Sequence, residues 1–214
     1  MSDDIRHAQA IEERQVADAW RRIQSWLHQH APATTDKLLP GASDAEIDAL
    51  QQELGVRIPA GLRALWRHCP GVQPGPWVRF LLGNWTPMKF DSVIRKYWSM
   101  LEMQQHEDEL NNRRSEPGEE FLLWRASWVP FCSDTDRLFG LCLDAETGKL
   151  WSWSKYAERA VEFESLSCYL EEMADVLEVP SLATGAKPGL IDGALTWGTP
   201  TDPDEQALWR PLAR

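Results

Sequence analysis

The chain has 214 residues, 43% hydrophobic and 26% charged, which predicts one globular domain with extensions and excludes a disordered or membrane-embedded protein. The formal net charge is −11 at pH 7. Because Lys and Arg make the phosphate contacts that dominate affinity for nucleic acids, this charge argues against direct nucleic-acid binding.

Targeting signals and membrane spans are missing from the sequence. It begins MSDDIRHAQAIEERQ, without a hydrophobic run of signal-peptide length, and no stretch reaches the roughly 20 apolar residues of a spanning helix. We therefore expect a cytoplasmic protein that does not enter a membrane. The cysteines include no CxxC pair, so reduced and mostly buried thiols are expected. They are Cys69, Cys132, Cys142 and Cys168.

Three helices are predicted before residue 72. The first, over 12–30, is amphipathic and ends before Pro32. In the second, Ser43 and Glu46 form a capping box and Gly55 occupies the position of a left-handed C-terminal cap. The third begins at Pro59. The predicted buried positions of these helices are Val16, Trp20, Ile23, Leu27, Ile47, Leu50, Leu54, Leu62, Leu65 and Trp66.

The middle of the chain combines one long helix with strands. Residues 77–82, WVRFLL, are predicted as a strand, and a helix follows over 91–112 with a polar distal half that projects into solvent. Its apolar positions are Ile94, Tyr97, Trp98 and Leu101.

Short apolar runs separated by turns follow between residues 121 and 163: FLLW, SWVPFCS, LFGLCLD, KLWSWS and AVEFE. Strands at this spacing pair as an antiparallel meander. A closing helix starts near Ser165, which caps its first turn. The helix is predicted to bury Leu166, Tyr169, Leu170, Met173 and Leu177.

Beyond Val179 the sequence is rich in Pro, Gly and Thr and has no periodicity, so an extended tail is predicted. Trp197 and Trp209 are large apolar groups in this tail. At least one of them should lie against the domain.

Acidic residues concentrate in two segments. Residues 101–120 contain seven acids against two arginines, and residues 158–178 contain seven acids against one arginine. Two explanations for such clusters are open: solvated helix faces that aid solubility, or a binding surface for a basic partner.

Three stretches resemble the SUKH superfamily, which includes the fungal cell-wall synthesis regulators of the Smi/Knr type. They are LPGASDAEIDALQQELGVRIPAGLRALWRHCPGV, WVPFCSDTDRLFGLCLD and SLSCYLEEMADVLE. The resemblance covers roughly 38–178 and implies an α+β fold with an antiparallel meander packed against helices. The turn SDTDR lacks the glycines that family members often carry.

The resemblance implies a domain over 37–178 that carries a helical insertion at 83–120. An N-terminal helix over 1–36 and a Pro/Gly-rich C-terminal tail over 179–214 would extend this domain. For function, the family implies binding rather than chemistry. Many bacterial members are immunity proteins that neutralise toxins from neighbouring cells, and the fungal members act as signalling scaffolds.

The first functional hypothesis is a cytoplasmic immunity protein that covers a basic toxin domain, such as a nuclease. An acidic surface can mimic the phosphates that a nuclease binds, and aromatic side chains would anchor the complex. Burial in the core is the alternative for each tryptophan among the candidates. The candidate contact residues are Trp77, Trp85, Glu107, Asp108, Glu109, Asp134, Asp136, Trp151 and Trp153.

The second hypothesis is a hydrolase or metal enzyme that uses Asp134, Asp136 and Asp144. Asp134 and Asp136 lie in one turn and Asp144 begins another at the far end of a strand, roughly 20 Å away at about 3.3 Å per residue. One shared site is therefore not expected. His28 and His30 point to different helix faces, and His68 beside Cys69 is typical of a cap or core position.

A third hypothesis, a carbohydrate-binding or scaffold module, rests on the 12 tryptophans, although most of them fit apolar stripes. No catalytic residue, metal site or cofactor is predicted. The sequence leaves the oligomeric state open, and a regulatory scaffold remains the main alternative to an immunity protein.

Overall fold

A computed structural model describes residues 2–76, 78–112, 122–134, 137–154 and 159–212. In these residues, helices and two antiparallel sheets form the predicted α+β fold. The helices are α1 Ser2–His30, α2 Pro32–Thr35, α3 Asp44–Leu54, α4 Ala60–Trp66, α5 Phe90–Asn112, α6 Leu166–Glu178 and α7 Pro203–Leu208. The strands are β1 Thr86–Pro87, β2 Trp128–Ser133, β3 Phe139–Asp144, β4 Leu150–Ser154, β5 Ala160–Phe163, β6 Pro188–Ile191, β7 Ala194–Trp197 and β8 Arg210–Pro211.

Helix α1 begins about three turns before the predicted start and packs against α4 and α6. The predicted stripe of Val16, Trp20, Ile23 and Leu27 is fully buried. At the start of α6, the Glu12 carboxylate accepts hydrogen bonds from the backbone N–H of Ser167, at 3.2 Å, and from its hydroxyl, at 2.9 Å. A carboxylate at this position also interacts favourably with the positive end of the α6 helix dipole.

Local signals determine both ends of α3. The Ser43 backbone N–H donates to the Glu46 carboxylate at 2.8 Å, and the Glu46 N–H donates to the Ser43 hydroxyl at 3.3 Å, which is the predicted capping box. Gly55 ends the helix with a φ of 67°, in the left-handed region that glycine adopts without strain. Pro59 precedes α4, whose Leu62, Leu65 and Trp66 are buried as predicted.

Strands β1 to β5 form one antiparallel sheet in sequential order, which confirms the predicted meander. A bulge between Pro130 and Cys132 shifts the β2–β3 register. One face packs against α6, where Phe131 and Phe163 contact the Tyr169 ring. The other face carries tryptophans that α5 covers, with the Lys96 Nζ 4.6 Å from the Trp153 ring centroid.

Two predicted strands were wrong. Residues 78–82 form only an isolated bridge between Leu81 and Trp85, and residues 122–125 are irregular. Trp77 and Phe121 lie outside the described residues. In α5 the buried face is rotated from the predicted one, because Val93, Tyr97 and Met100 are buried whereas Trp98 is 43% exposed.

The C-terminal segment is not the extended tail that its composition predicted. Strands β6, β7 and β8 form a second antiparallel sheet in the order β7-β6-β8, and we call residues 179–212 the C-terminal arm. Asn84 attaches the arm, since its side chain accepts from the Trp197 N–H at 2.8 Å and donates to the Trp197 carbonyl at 2.5 Å. Trp197 is buried, as predicted for at least one of the two tail tryptophans, and Trp209 is half-buried.

Candidate functional site

The acidic turn between β2 and β3 uses Asp134 as a structural acceptor. Its Oδ1 accepts the backbone N–H groups of Leu138, at 2.8 Å, and Phe139, at 3.1 Å. Such bonds to the following backbone explain why Asp is favoured in turns. Asp136, predicted as a second contact residue, lies outside the described residues.

Asp144 occupies the opposite end of the β2–β3 ladder. Trp128 pairs with Asp144 at one end and Ser133 pairs with Gly140 at the other, next to Asp134. The Asp144 carboxylate is fully buried and accepts from the Glu146 N–H at 3.0 Å and from the Thr147 hydroxyl at 2.8 Å. The two aspartates therefore belong to separate turns, as the strand length predicted.

Other chemically active groups are dispersed or masked by burial. Within the described ranges, no group of three or more His, Cys, Asp and Glu side chains could hold a metal ion. Burial raises the pKa of the Cys69 thiol to about 12 and also raises the pKa values of Cys132 and Cys142. Burial, together with Arg21 and Arg67, lowers the pKa of His68. The three buried cysteine thiols are poor nucleophiles, because their raised pKa values disfavour the thiolate, which is the reactive form.

Two of the candidate contact tryptophans belong to a layer of indole rings on the α5-facing side of the sheet. Trp151 stacks on Trp128 with ring centroids 5.2 Å apart, and Trp124 contacts Trp128 and Trp153 edge-on. Trp153 is 1% exposed and fills the core under α5, so its ring is not available to a partner. Trp151 is half-buried.

The first acidic segment lies on the distal half of α5. Asp108 and Glu109 are exposed and Glu107 is half-buried. Gln104 anchors this part of the helix, since its side-chain oxygen accepts the N–H groups of Leu123 at 2.6 Å and Trp124 at 2.9 Å. The rest of the segment, residues 113–120, lies outside the described residues.

The second acidic segment is partly neutralised within the fold. Arg22 on α1 pairs with Asp175, at 2.7 Å, and with Glu178, at 2.5 Å. Lys149 pairs with Glu164 at 3.0 Å. The acids of this segment that form no ion pair or hydrogen bond with any described residue are Glu162, Glu171 and Glu172.

Two of these unpaired acids line a cavity of about 330 Å³, which we call the arm groove. Trp85, predicted as a contact residue, is half-buried in its wall. Residues 183–186 of the C-terminal arm close one side. The groove is defined by Trp85, Glu162, Phe163, Tyr169, Glu172, Trp197 and residues 183–186.

Sequence reasoning identified Trp85 but not the rest of the groove. The sequence places Phe163 and Tyr169 in the strand and helix that they build, and it predicts an extended tail rather than the sheet that closes the groove. The Asp192-Gly193 pair between two apolar runs is a hairpin signal that indicates how the arm folds back. Both residues have positive φ, 49° and 78°, as such a two-residue turn requires.

A second cavity, of about 370 Å³, lies beside the acidic turn. Its charged lining residues are Lys89, Asp91, Arg95, Asp134 and Arg137. Arg95 pairs with Asp91 at 3.0 Å. The surroundings of Asp134 are thus of mixed charge.

A family model described as SMI1 / KNR4 family (SUKH-1) matches residues 41–172, more than half of the chain. The match includes α3, α4, the five-stranded sheet and the first half of α6, whereas α1 and the C-terminal arm lie outside it. No curated protein matches the chain. In the part that the structure describes, no helix is both long and apolar enough to cross a bilayer.

Proposed function

Because the chain belongs to the SMI1/KNR4 family (SUKH-1), we propose that it is a cytoplasmic immunity protein that binds a cognate toxin and neutralises it by steric and electrostatic occlusion. The toxin surface is basic, as on an enzyme that acts on nucleic acid. The protein works by binding and not by catalysis.

One observation carries this proposal: both acidic segments place exposed carboxylates on the surface. Arg22 and Lys149 neutralise three carboxylates of the second acidic segment, and Glu162 and Glu172 remain at the mouth of the arm groove. Asp108 and Glu109 are exposed on distal α5. Such surface charge speeds encounter with a basic partner and disfavours wrong partners.

The positions of the aspartates support binding over hydrolysis. Asp134 and Asp144 accept hydrogen bonds from their own turns at opposite ends of β3. A carboxylate pair that acts as acid and base requires two groups in one cleft.

The test is co-expression of the chain with the product of the neighbouring gene, followed by calorimetry of the purified pair at about 50 mM and about 300 mM salt. We expect protection from the toxin and tighter binding at the lower salt concentration, because exposed charges are screened by ions. If the chain gives no protection and does not bind the toxin, the proposal is contradicted. Binding without protection would favour a regulatory scaffold, the role of the family's fungal members.

A further inference from the structure

The arm groove differs in charge from the cavity beside the acidic turn, whose lining mixes Lys, Arg and Asp side chains. Its ionisable lining residues are Glu162, Glu172 and Tyr169, and no Lys, Arg or His contributes to it within the described residues. Its volume of about 330 Å³ lies at the lower end of the range for ligand pockets, about 300–1,000 Å³. That space suits one long side chain with its flanking backbone.

The aromatic walls of the groove are held rigidly. Phe163 meets Tyr169 edge-on, with ring centroids 5.1 Å apart at an interplanar angle of 73°. The Tyr169 hydroxyl donates to the Leu82 carbonyl at 2.9 Å, and burial raises its pKa well above the ordinary value, so this donor remains protonated. Trp197 is fixed by its indole N–H, which donates to the Phe80 carbonyl at 2.8 Å.

The two carboxylates are not used by the fold. Glu162 and Glu172 are exposed at the mouth of the groove and form no ion pair or hydrogen bond with any described residue. Their neighbours Glu164 and Glu178 do pair, with Lys149 and Arg22 respectively. The half-buried rings of Trp85 and Phe163, with the two free carboxylates beside them, form an environment that favours a cation, and the buried rings of Tyr169 and Trp197 support them from behind.

We propose that the arm groove binds an arginine side chain of the partner protein, an inference that rests on the proposed function. A guanidinium group is planar, stacks on aromatic rings and donates a fork of N–H groups to carboxylates. An ammonium group is more strongly hydrated and lacks the planar surface for stacking. One wall of the groove comes from residues 183–186, so the arm, which lies outside the family match, contributes to partner choice.

The probe is Nα-acetyl-arginine amide, titrated into the full ¹⁵N-labelled chain while the Trp85 indole N–H resonance is followed by NMR. The Trp85→Phe variant identifies this resonance. The neutral isostere Nα-acetyl-citrulline amide and the lysine analogue serve as comparisons. We expect a saturable shift with the arginine compound, a weaker one with lysine and none with citrulline.

Glu172→Gln should weaken arginine binding about three- to fivefold, as expected for one exposed charge pair, and Glu171→Gln is the matched control on the same helix. Equal shifts with arginine and citrulline, or equal losses in the two variants, would overturn the proposal.

Binding of the intact partner separates this proposal from the proposed function. If the partner binds and is neutralised, but Glu172→Gln and Trp85→Phe bind it as tightly as the unaltered chain, the groove proposal fails and the immunity function stands. If the neighbouring gene product does not bind although the groove prefers arginine over citrulline, the immunity function fails and the groove's specificity stands.

Discussion

Arg22 and Glu178 form a two-pronged ion pair across 156 positions of the chain, with Nε–Oε1 and Nη2–Oε2 distances of 2.9 and 2.5 Å. Glu178 is the last residue of α6, where the negative end of the helix dipole disfavours a carboxylate. Arg22 offsets this repulsion and connects α1, which lies outside the family match, to the closing helix of the domain.

This pair predicts a defined pH dependence. The hydrogen bond from Arg22 lowers the pKa of Glu178 below its ordinary value of 4.5, so the stabilisation is fully present above pH 4.5 and is lost as the pH falls through the lower folded-state pKa. Glu178→Gln should lower the free energy of unfolding by about 1 kcal/mol or less at neutral pH, because both side chains are partly exposed.

Urea denaturation at neutral pH and at several pH values below 4.5 measures the effect. The difference between Glu178→Gln and the unaltered chain should shrink in acid, and Glu171→Gln should show no such trend. A difference that stays constant with pH would contradict the role of the ion pair.

Asn84 is predicted to control attachment of the C-terminal arm. Its side chain bonds both backbone groups of Trp197, and its φ of 61° lies in the left-handed region that Asn and Gly tolerate. Asn84→Gly removes the side-chain bonds but keeps the backbone conformation accessible. We expect a loss of about 1–3 kcal/mol and faster amide exchange in residues 188–197, measured by hydrogen exchange and mass spectrometry.

Asn84→Ala is the comparison variant for this experiment. It should cost more than Asn84→Gly, because it also strains the backbone at positive φ. Unchanged exchange in the arm of both variants would show that Asn84 does not hold it.

Elements with strong local signals could be predicted from the sequence. The capping box of Ser43 and Glu46 and the cap at Ser165 each act within a few residues, so the starts of α3 and α6 were predicted correctly. The buried face of α5 was not, because apolar residues occupy two overlapping stripes of this helix. Contacts with distant residues choose between them, as when the Tyr97 hydroxyl donates to the Ala126 carbonyl.

The candidate site could be predicted only in part, because contacts between residues that are distant in the sequence build it. Trp85 was a candidate from its residue type, but its neighbours in the arm groove come from β5, α6 and the arm. Those segments meet through tertiary packing, which a single sequence does not reveal. Trp153 has the same residue type and is buried because it lies under α5.

Trp85 and Trp153 should therefore respond differently to substitution. Trp153→Ala removes a fully buried ring and should cost about 3–5 kcal/mol, measured by chemical denaturation. Trp85→Phe should retain a cooperative fold and weaken partner binding. Trp98→Phe is the control, since this exposed ring lies outside the arm groove. Equal binding losses at residues 85 and 98 would contradict a specific role for Trp85.

Distal α5 is predicted to affect the rate of partner association. Replacement of Glu107, Asp108 and Glu109 by Gln, Asn and Gln should lower the association rate constant several-fold at low salt and change the dissociation rate constant less. Surface plasmon resonance measures both constants. At high salt the variant and the unaltered chain should associate at the same rate, and a difference that persists there would indicate a structural defect in α5.

The last prediction concerns Asp134 and Asp144, the residues that a hydrolase would need. Asp144→Ala removes the buried carboxylate that accepts from the Glu146 N–H and the Thr147 hydroxyl, so it should cost about 1 kcal/mol of unfolding free energy. Asp144→Asn retains an acceptor oxygen and should cost less. Asp134→Ala should loosen the β2–β3 turn at a smaller cost, because this turn is partly exposed and the Asp134 backbone N–H also donates to the Phe139 carbonyl at 2.9 Å.

Since each carboxylate serves its own turn, we expect no turnover of nucleotide, ester or peptide substrates that depends on Asp134. Turnover by the purified chain that Asp134→Ala abolishes while the fold persists would contradict a binding function.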